Sequence, residues 1–105
     1  MQTVPHRLVT IIAERAVRDR LLDAVHRLGA TGHTIAAVHG EGSRGDRAAR
    51  GGPSVKVEAI VPEAVAERIV AHVAEHYFAH HSVIVYLQTV EVLRGSKYAP
   101  HNEGA

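Results

Sequence analysis

The stretch GHTIAAVHGEGSRGDRAARGGPSVKVEAIV, Gly32 to Val61, decides the fold, because both its ends are patterned as strands and its middle is not patterned at all. Gly32 to His39 is made of small and β-branched residues and reads as a strand. In Val55 to Val61, Lys56 and Glu58 point one way while Val55, Val57, Ala59 and Val61 point the other, the period of a half-exposed strand. Between them, Gly40 to Ser54 packs five Gly, one Pro and three Arg into fifteen residues. Unpatterned segments of about 12 to 15 residues are uncommon inside compact domains and are usually functional or disordered.

Toward the N-terminus, RLVTIIA (Arg7 to Ala13) is β-branched and apolar on both faces, as a central strand would be. Glu14 to Leu28 changes period: Val17, Leu21, Leu22, Val25 and Leu28 form a helical stripe, with Gly29 as the stop. Toward the C-terminus, Pro62 can open a helix whose stripe is Val65, Ile69, Val70, Val73 and Tyr77 and which ends near Phe78 to His80. SVIVYLQTVEVL, Ser82 to Leu93, is the longest β-rich run, and after Gly95 the pattern is lost.

The order strand, helix, strand, strand, helix, strand predicts an α+β, ferredoxin-like βαββαβ sandwich with both helices on one sheet face. Residues 1–105 then form a single domain with a flexible loop at about 40–54 and an unstructured tail at about 99–105. The open sheet face, carrying Val9, Ile11, Val57 and Val85 or their alternates, requires a partner subunit to cover it.

Composition narrows the function. With 46% hydrophobic and 22% charged residues the chain reads as a folded soluble domain, and its size suits one core. A chain of this length buries only about two-thirds of its unfolded surface, so association is a natural route to stability. The net charge of +1 offers no broad footprint for nucleic acid or an anionic membrane. The absence of Cys removes disulfides, thiolate chemistry and Cys-ligated zinc together. Without an apolar signal segment or a run of about 18 apolar residues, the expected location is cytoplasmic, with no membrane insertion.

Two stretches carry a family resemblance. GATGHTIAAVHGEGSRGDR, Gly29 to Arg47, contains G-x-x-G-x-T followed by G-x-G-S-R-x-x-R. YFAHHSVIVYLQTVEVLRG, Tyr77 to Gly95, supplies a YF pair, an apolar strand and an EVL-x-G ending. In this order and spacing they resemble PII-like signalling proteins of the SbtB type, over roughly Arg7 to Tyr98. The resemblance implies a homotrimer with three inter-subunit clefts, each binding AMP, cyclic AMP, ADP or ATP beneath a T-loop. It also implies control of inorganic-carbon uptake through a sodium-dependent bicarbonate transporter, which would recruit the protein to the membrane through the T-loop.

Carried over residue by residue, the phosphate contacts fall on Ser43, Arg44 and Arg47, with Gly40 and Gly42 shaping the backbone. Thr34 lies on the second strand, and Ser82, Val83 and Ile84 lie near adenine and ribose. The nucleotide is an effector; no cofactor and no metal are implied. Val83 stands where the best-known members carry glycine, and the ending APHNEGA lacks the cysteines of a redox tail, so redox control and its linked nucleotide hydrolysis should be absent.

The loop residues carry binding chemistry of their own. Gly40, Gly42 and Gly45 allow consecutive amides to converge on an anion, Ser43 adds a hydroxyl, and Arg44 and Arg47 add forked donors. A charge-assisted contact contributes about 1.5 to 3 kcal/mol, so two of them plus base burial reach the roughly 8 kcal/mol of a micromolar complex. The plain alternative is a solvated connection, against which stand its length and the clustering of Arg44, Arg47 and Arg50. No G-K-S or G-K-T makes it a Walker A loop.

His72, His76 and His80 share a helix face, which motivates a second reading as a trimeric metal- or small-molecule-binding module of the same fold. H-E-x-x-H is missing, however, and a polar face with Arg68 and Glu75 accounts for the spacing. His80 and His81 fit a turn. Glu14 and Arg15 occupy the strand-to-helix junction used by acylphosphatases, but no Gly-rich cradle or nearby Asn accompanies them. Glu91 is a lone strand carboxylate. With no set of nucleophile, base and orienter, the chain reads as a binding protein and not an enzyme.

Arg44→Ala and Arg47→Ala are expected to weaken nucleotide binding by roughly ten- to hundred-fold with little change in melting temperature. Arg50→Ala, outside the motif, should cost much less. Equal losses by calorimetry at all three positions would mean a diffuse positive patch.

Overall fold

The structure, a computed structural model, describes residues 2–40 and 53–100. Strand β1 (Val4–Glu14) leads through a 3-10 turn (Arg15–Val17) into helix α1 (Arg18–Arg27). β2 (Thr34–Val38), β3 (Ser54–Val61), helix α2 (Glu63–Tyr77) and β4 (Val83–Val92) follow, with a last 3-10 turn at Gly95–Tyr98. The sheet order is β2-β3-β1-β4, every pairing antiparallel, which is the predicted ferredoxin-like arrangement.

Several boundaries move: β1 already begins at Val4, and β2 is confined to Thr34–Val38. Glu14 ends β1 and the α-helix begins only at Arg18, because a 3-10 turn takes the intervening residues. Ser54, expected in the loop, pairs with Val38 and with Glu14 as the first residue of β3. Lys97 and Tyr98 also have local structure where the pattern had faded.

Register decides which side chains make the core. Ile11 stands opposite both Val57 and Val85, and Val9 opposite Ala59 and Leu87. Val9, Ile11 and Val57 are buried beneath Leu21 and Val25 of α1 and Val65, Ile69 and Val73 of α2, with Val85 packed against them. These residues therefore line the helix-covered face, not the open one. Their alternates carry the open face: Leu8, Thr10 and Ile12 on β1, Ile60 on β3, Ile84 and Tyr86 on β4. The sequence could not fix the choice because β1 is apolar on both sides, and only helix placement breaks the tie. Ile84 and Tyr86 remain 53% and 44% exposed, so this face is left unfinished in one chain.

Helix α1 ends in a Schellman motif: Gly29 N–H donates to His26 O at 3.1 Å and Ala30 N–H to Val25 O at 3.2 Å. Gly29 adopts φ +126°, and a Cβ there would lie 2.9 Å from Val65 Cγ2. Backbone and packing both demand glycine, which ties the end of α1 to α2. Gly29→Ala should destabilise the fold by about 1 to 3 kcal/mol, combining an unfavourable φ with overpacking. Urea denaturation measures the loss; an unchanged midpoint would contradict the close approach.

Candidate functional site

The antiparallel order brings one end of all four strands together. Glu14 pairs with Ser54, Ala13 with Val55 and Val83, and Val38 with Ser54, so the C-terminal ends of β1 and β2 meet the starts of β3 and β4. The chain leaves this end after Gly40 and returns at Pro53, whose carbonyl accepts a hydrogen bond from Arg15 N–H at 3.0 Å. Val83 and Ile84 start β4 at the same end, with Ser82 just before it. Ser82 N–H donates to Glu14 Oε1 at 2.8 Å, and His81 Nδ1 lies 3.6 Å from that oxygen.

Val83 turns its side chain to the covered face, where it packs on the core, while Ile84 points to the open face. At Gly40 a Cβ would meet nothing within 4 Å, so local packing does not explain that glycine. Gly42, Ser43, Arg44 and Arg47 lie outside the described residues.

Thr34 is elsewhere. It opens β2 on the open face, opposite Glu58, four residues or about 13 Å below the loop end of its strand. β2 and β4 are the two sheet edges, about 14 Å apart at three strand spacings. One protomer therefore does not bring Thr34 and Ser82 to a common ligand.

Thr34 instead lines an open cleft of about 440 Å³ together with Leu8, Ile60, His33, Glu58, Lys97 and Tyr98. The C-terminal turn is held there by packing of Gly95 on Val4, contact between the Tyr98 and His6 rings, and donation from Thr31 Oγ1 to Lys97 O at 3.2 Å. His33 is oriented by His26: Nδ1–H of His26 donates to Ala30 O at 2.9 Å, and its Nε2 lies 2.8 Å from His33 Nδ1. Apart from Thr34, these cleft residues were missed in the sequence. The aromatic Tyr98 and the glycine shortly before it were the available signal. A second groove of about 260 Å³, flanked by Arg15, Arg18 and Pro53, lies at the base of the loop.

Residues 6–97 match the family model described as "Nitrogen regulatory protein P-II". The chain belongs to the P-II family. It is 45% identical to a PII-like signalling protein of Thermus thermophilus, covering 94% of this chain and all of that one with a TM-score of 0.81. It is also similar to CPII, a nitrogen regulatory PII-like protein of Thiomonas intermedia whose structure holds ADP, AMP and bicarbonate. That likeness is 25% identical, covers 92% of this chain and 96% of CPII, and has a TM-score of 0.81.

Membership of the P-II family makes the chain a regulatory protein and not an enzyme, and the side chains weighed for chemistry have structural surroundings. Glu91 is an exposed carboxylate that accepts a hydrogen bond from the Thr3 hydroxyl. His72 and His76 stack with centroids 4.2 Å apart, and His76 Nδ1–H donates to His72 O at 3.1 Å. Among the described residues no three His, Cys, Asp or Glu side chains converge as metal ligands.

His72 is held below its ordinary pKa, first by burial, then by His76 and Arg27, with Glu75 opposing. The unfolded chain therefore takes up this proton more readily than the folded one. His72 costs nothing above its unfolded value of 6.5, and stability falls as pH drops from there toward the lowered folded value. In urea titrations His72→Gln should show a smaller loss of stability between about pH 7.5 and about pH 5.5 than the parent. An identical pH slope would remove His72 as its source.

Proposed function

We propose that this P-II protein is an adenine-nucleotide sensor of the SbtB type, working as a homotrimer whose ligand lies between subunits. The likeness to CPII with ADP, AMP and bicarbonate bound carries this reading. The geometry supports it: Thr34 and the Ser82 to Ile84 segment lie on opposite sheet edges, so a cleft using both draws them from two copies. The open face, with Ile84 and Tyr86 uncovered, offers the apolar surface that such assembly would bury.

In this arrangement the cleft beside Thr34 offers Leu8 and Ile60 to a base, Glu58 and the Thr34 hydroxyl to a sugar, and Lys97 to a phosphate. Ser43, Arg44 and Arg47 would add phosphate contacts from the loop, and Gly40 and Gly42 the backbone freedom to converge on them. AMP, cyclic AMP, ADP and ATP are all candidates. Nucleotide occupancy would then reset the T-loop against a membrane transporter, in the first instance a sodium-dependent bicarbonate carrier, from the cytoplasmic side. No helix among the described residues is long and apolar enough to cross a membrane.

Light scattering should give three times 11.3 kDa, and isothermal titration with the four nucleotides should give micromolar or tighter binding for at least one. A monomer at micromolar concentration would overturn the assembly. No heat from any of the four, under conditions where thermal shift also shows none, would overturn the sensor reading.

A further inference from the structure

The end of β1 does something that neither the fold nor the proposed sensing requires. The last ladder pairs on its two sides are Glu14 with Ser54 and Ala13 with Val83, so Ser82 lies just beyond the sheet. Its N–H is taken instead by a side chain: Glu14 Oε1 accepts it at 2.8 Å across 68 residues of sequence, in a partly buried setting. The next residue performs a parallel task with its main chain, Arg15 N–H donating to Pro53 O at 3.0 Å. Two consecutive residues thus fasten the start of β4 and the return of the loop to one strand terminus.

His81 contributes differently. At 3.6 Å its Nδ1 is beyond hydrogen-bond distance of Glu14 Oε1 and offers only charge attraction when protonated. Its ring lies 5.6 Å from that of Tyr77, over which the Arg20 guanidinium sits at 5.7 Å. The directional contact is therefore the Ser82 N–H donating to the Glu14 carboxylate, and a carboxylate accepting from a backbone N–H is among the stronger hydrogen bonds available.

We propose that Glu14 is a positioning residue of the nucleotide site, acting through Ser82. Its carboxylate holds the main chain of Ser82 to Ile84 in the orientation that ligand meets, and with Arg15, which holds Pro53, it makes the β1 terminus the common anchor of Ser82 and the start of β3. The proposal rests on the nucleotide-binding reading of Ser82, Val83 and Ile84. Glutamine at position 14 keeps an oxygen acceptor at the same reach and loses the charge; alanine loses both. A hydrogen-bond role thus predicts rescue by Gln, which a role in net charge does not.

Two readouts test this with the full-length protein. In the ligand-free state, Glu14→Ala should speed amide exchange at Ser82 to Ile84 about tenfold while leaving α2 unchanged, and Glu14→Gln should stay close to the parent. With ADP, Glu14→Ala should weaken binding by about tenfold and Glu14→Gln by much less. His81→Gln should have a small effect on both. Should the alanine variant fail to fold, Glu14→Asp, one methylene short of Ser82, takes its place. Faster exchange with unchanged ADP affinity would show a structural tie only and overturn the positioning role, as would equal losses for Ala and Gln. If the parent bound no adenine nucleotide, the sensor reading would fall and the positioning role with it, while the exchange arm would still report on the tie.

Discussion

The register that sets Ile11 opposite both Val57 and Val85 governs the rest of the molecule. Side chains alternate along a strand, so a slip of one residue would put Leu8, Thr10 and Ile12 under the helices and expose the present core. Burial of Val57, Ile11 and Val61 against Ile69 and Leu21, each side chain contributing about 1.5 to 3 kcal/mol, disfavours that slip. The same register fixes the positions of the strand ends, and with them where the loop leaves, where Ser82 meets the end of β1 and how far Thr34 lies from both.

Sequence pattern and structure agree where the pattern has one phase. VKVEAIV has Lys56 and Glu58 to mark its outer face, and β3 follows that alternation throughout. RLVTIIA has no such marker, so its faces could not be assigned until the helices were placed. Glu14 shows a related difficulty: a polar residue at a change of period fits a strand end or a helix start equally well. The ordering of strands and helices was legible because it needs only the succession of periods, not their phase.

The site was less legible than the fold, for a physical reason. Short-range signals such as G-x-G-S-R report what one segment can do, whereas the cleft beside Thr34 is built from β1, β3, the α1–β2 connection and the C-terminal turn. Lys97 and Tyr98 are far along the chain from the other cleft-forming elements and belong to no periodic run. Their place follows from contacts such as Thr31 with Lys97 O and Tyr98 with His6, which no local pattern encodes. Val83 is a milder example: its side chain joins the core, which its run of alternating apolar residues did not settle.

The close packing of Gly95 on Val4, where a Cβ would fall 2.5 Å from Cγ2, also matters for how the molecule is handled. It brings the start of β1 and the turn after β4 together at the end of the sheet opposite the loop. That junction therefore lies at the far end of β1 from Pro53 and Ser82. A short linker across that junction, with new ends opened in the loop, would give a rearranged chain order that preserves every strand pairing, so connectivity through the loop and the architecture of the sheet could be separated experimentally.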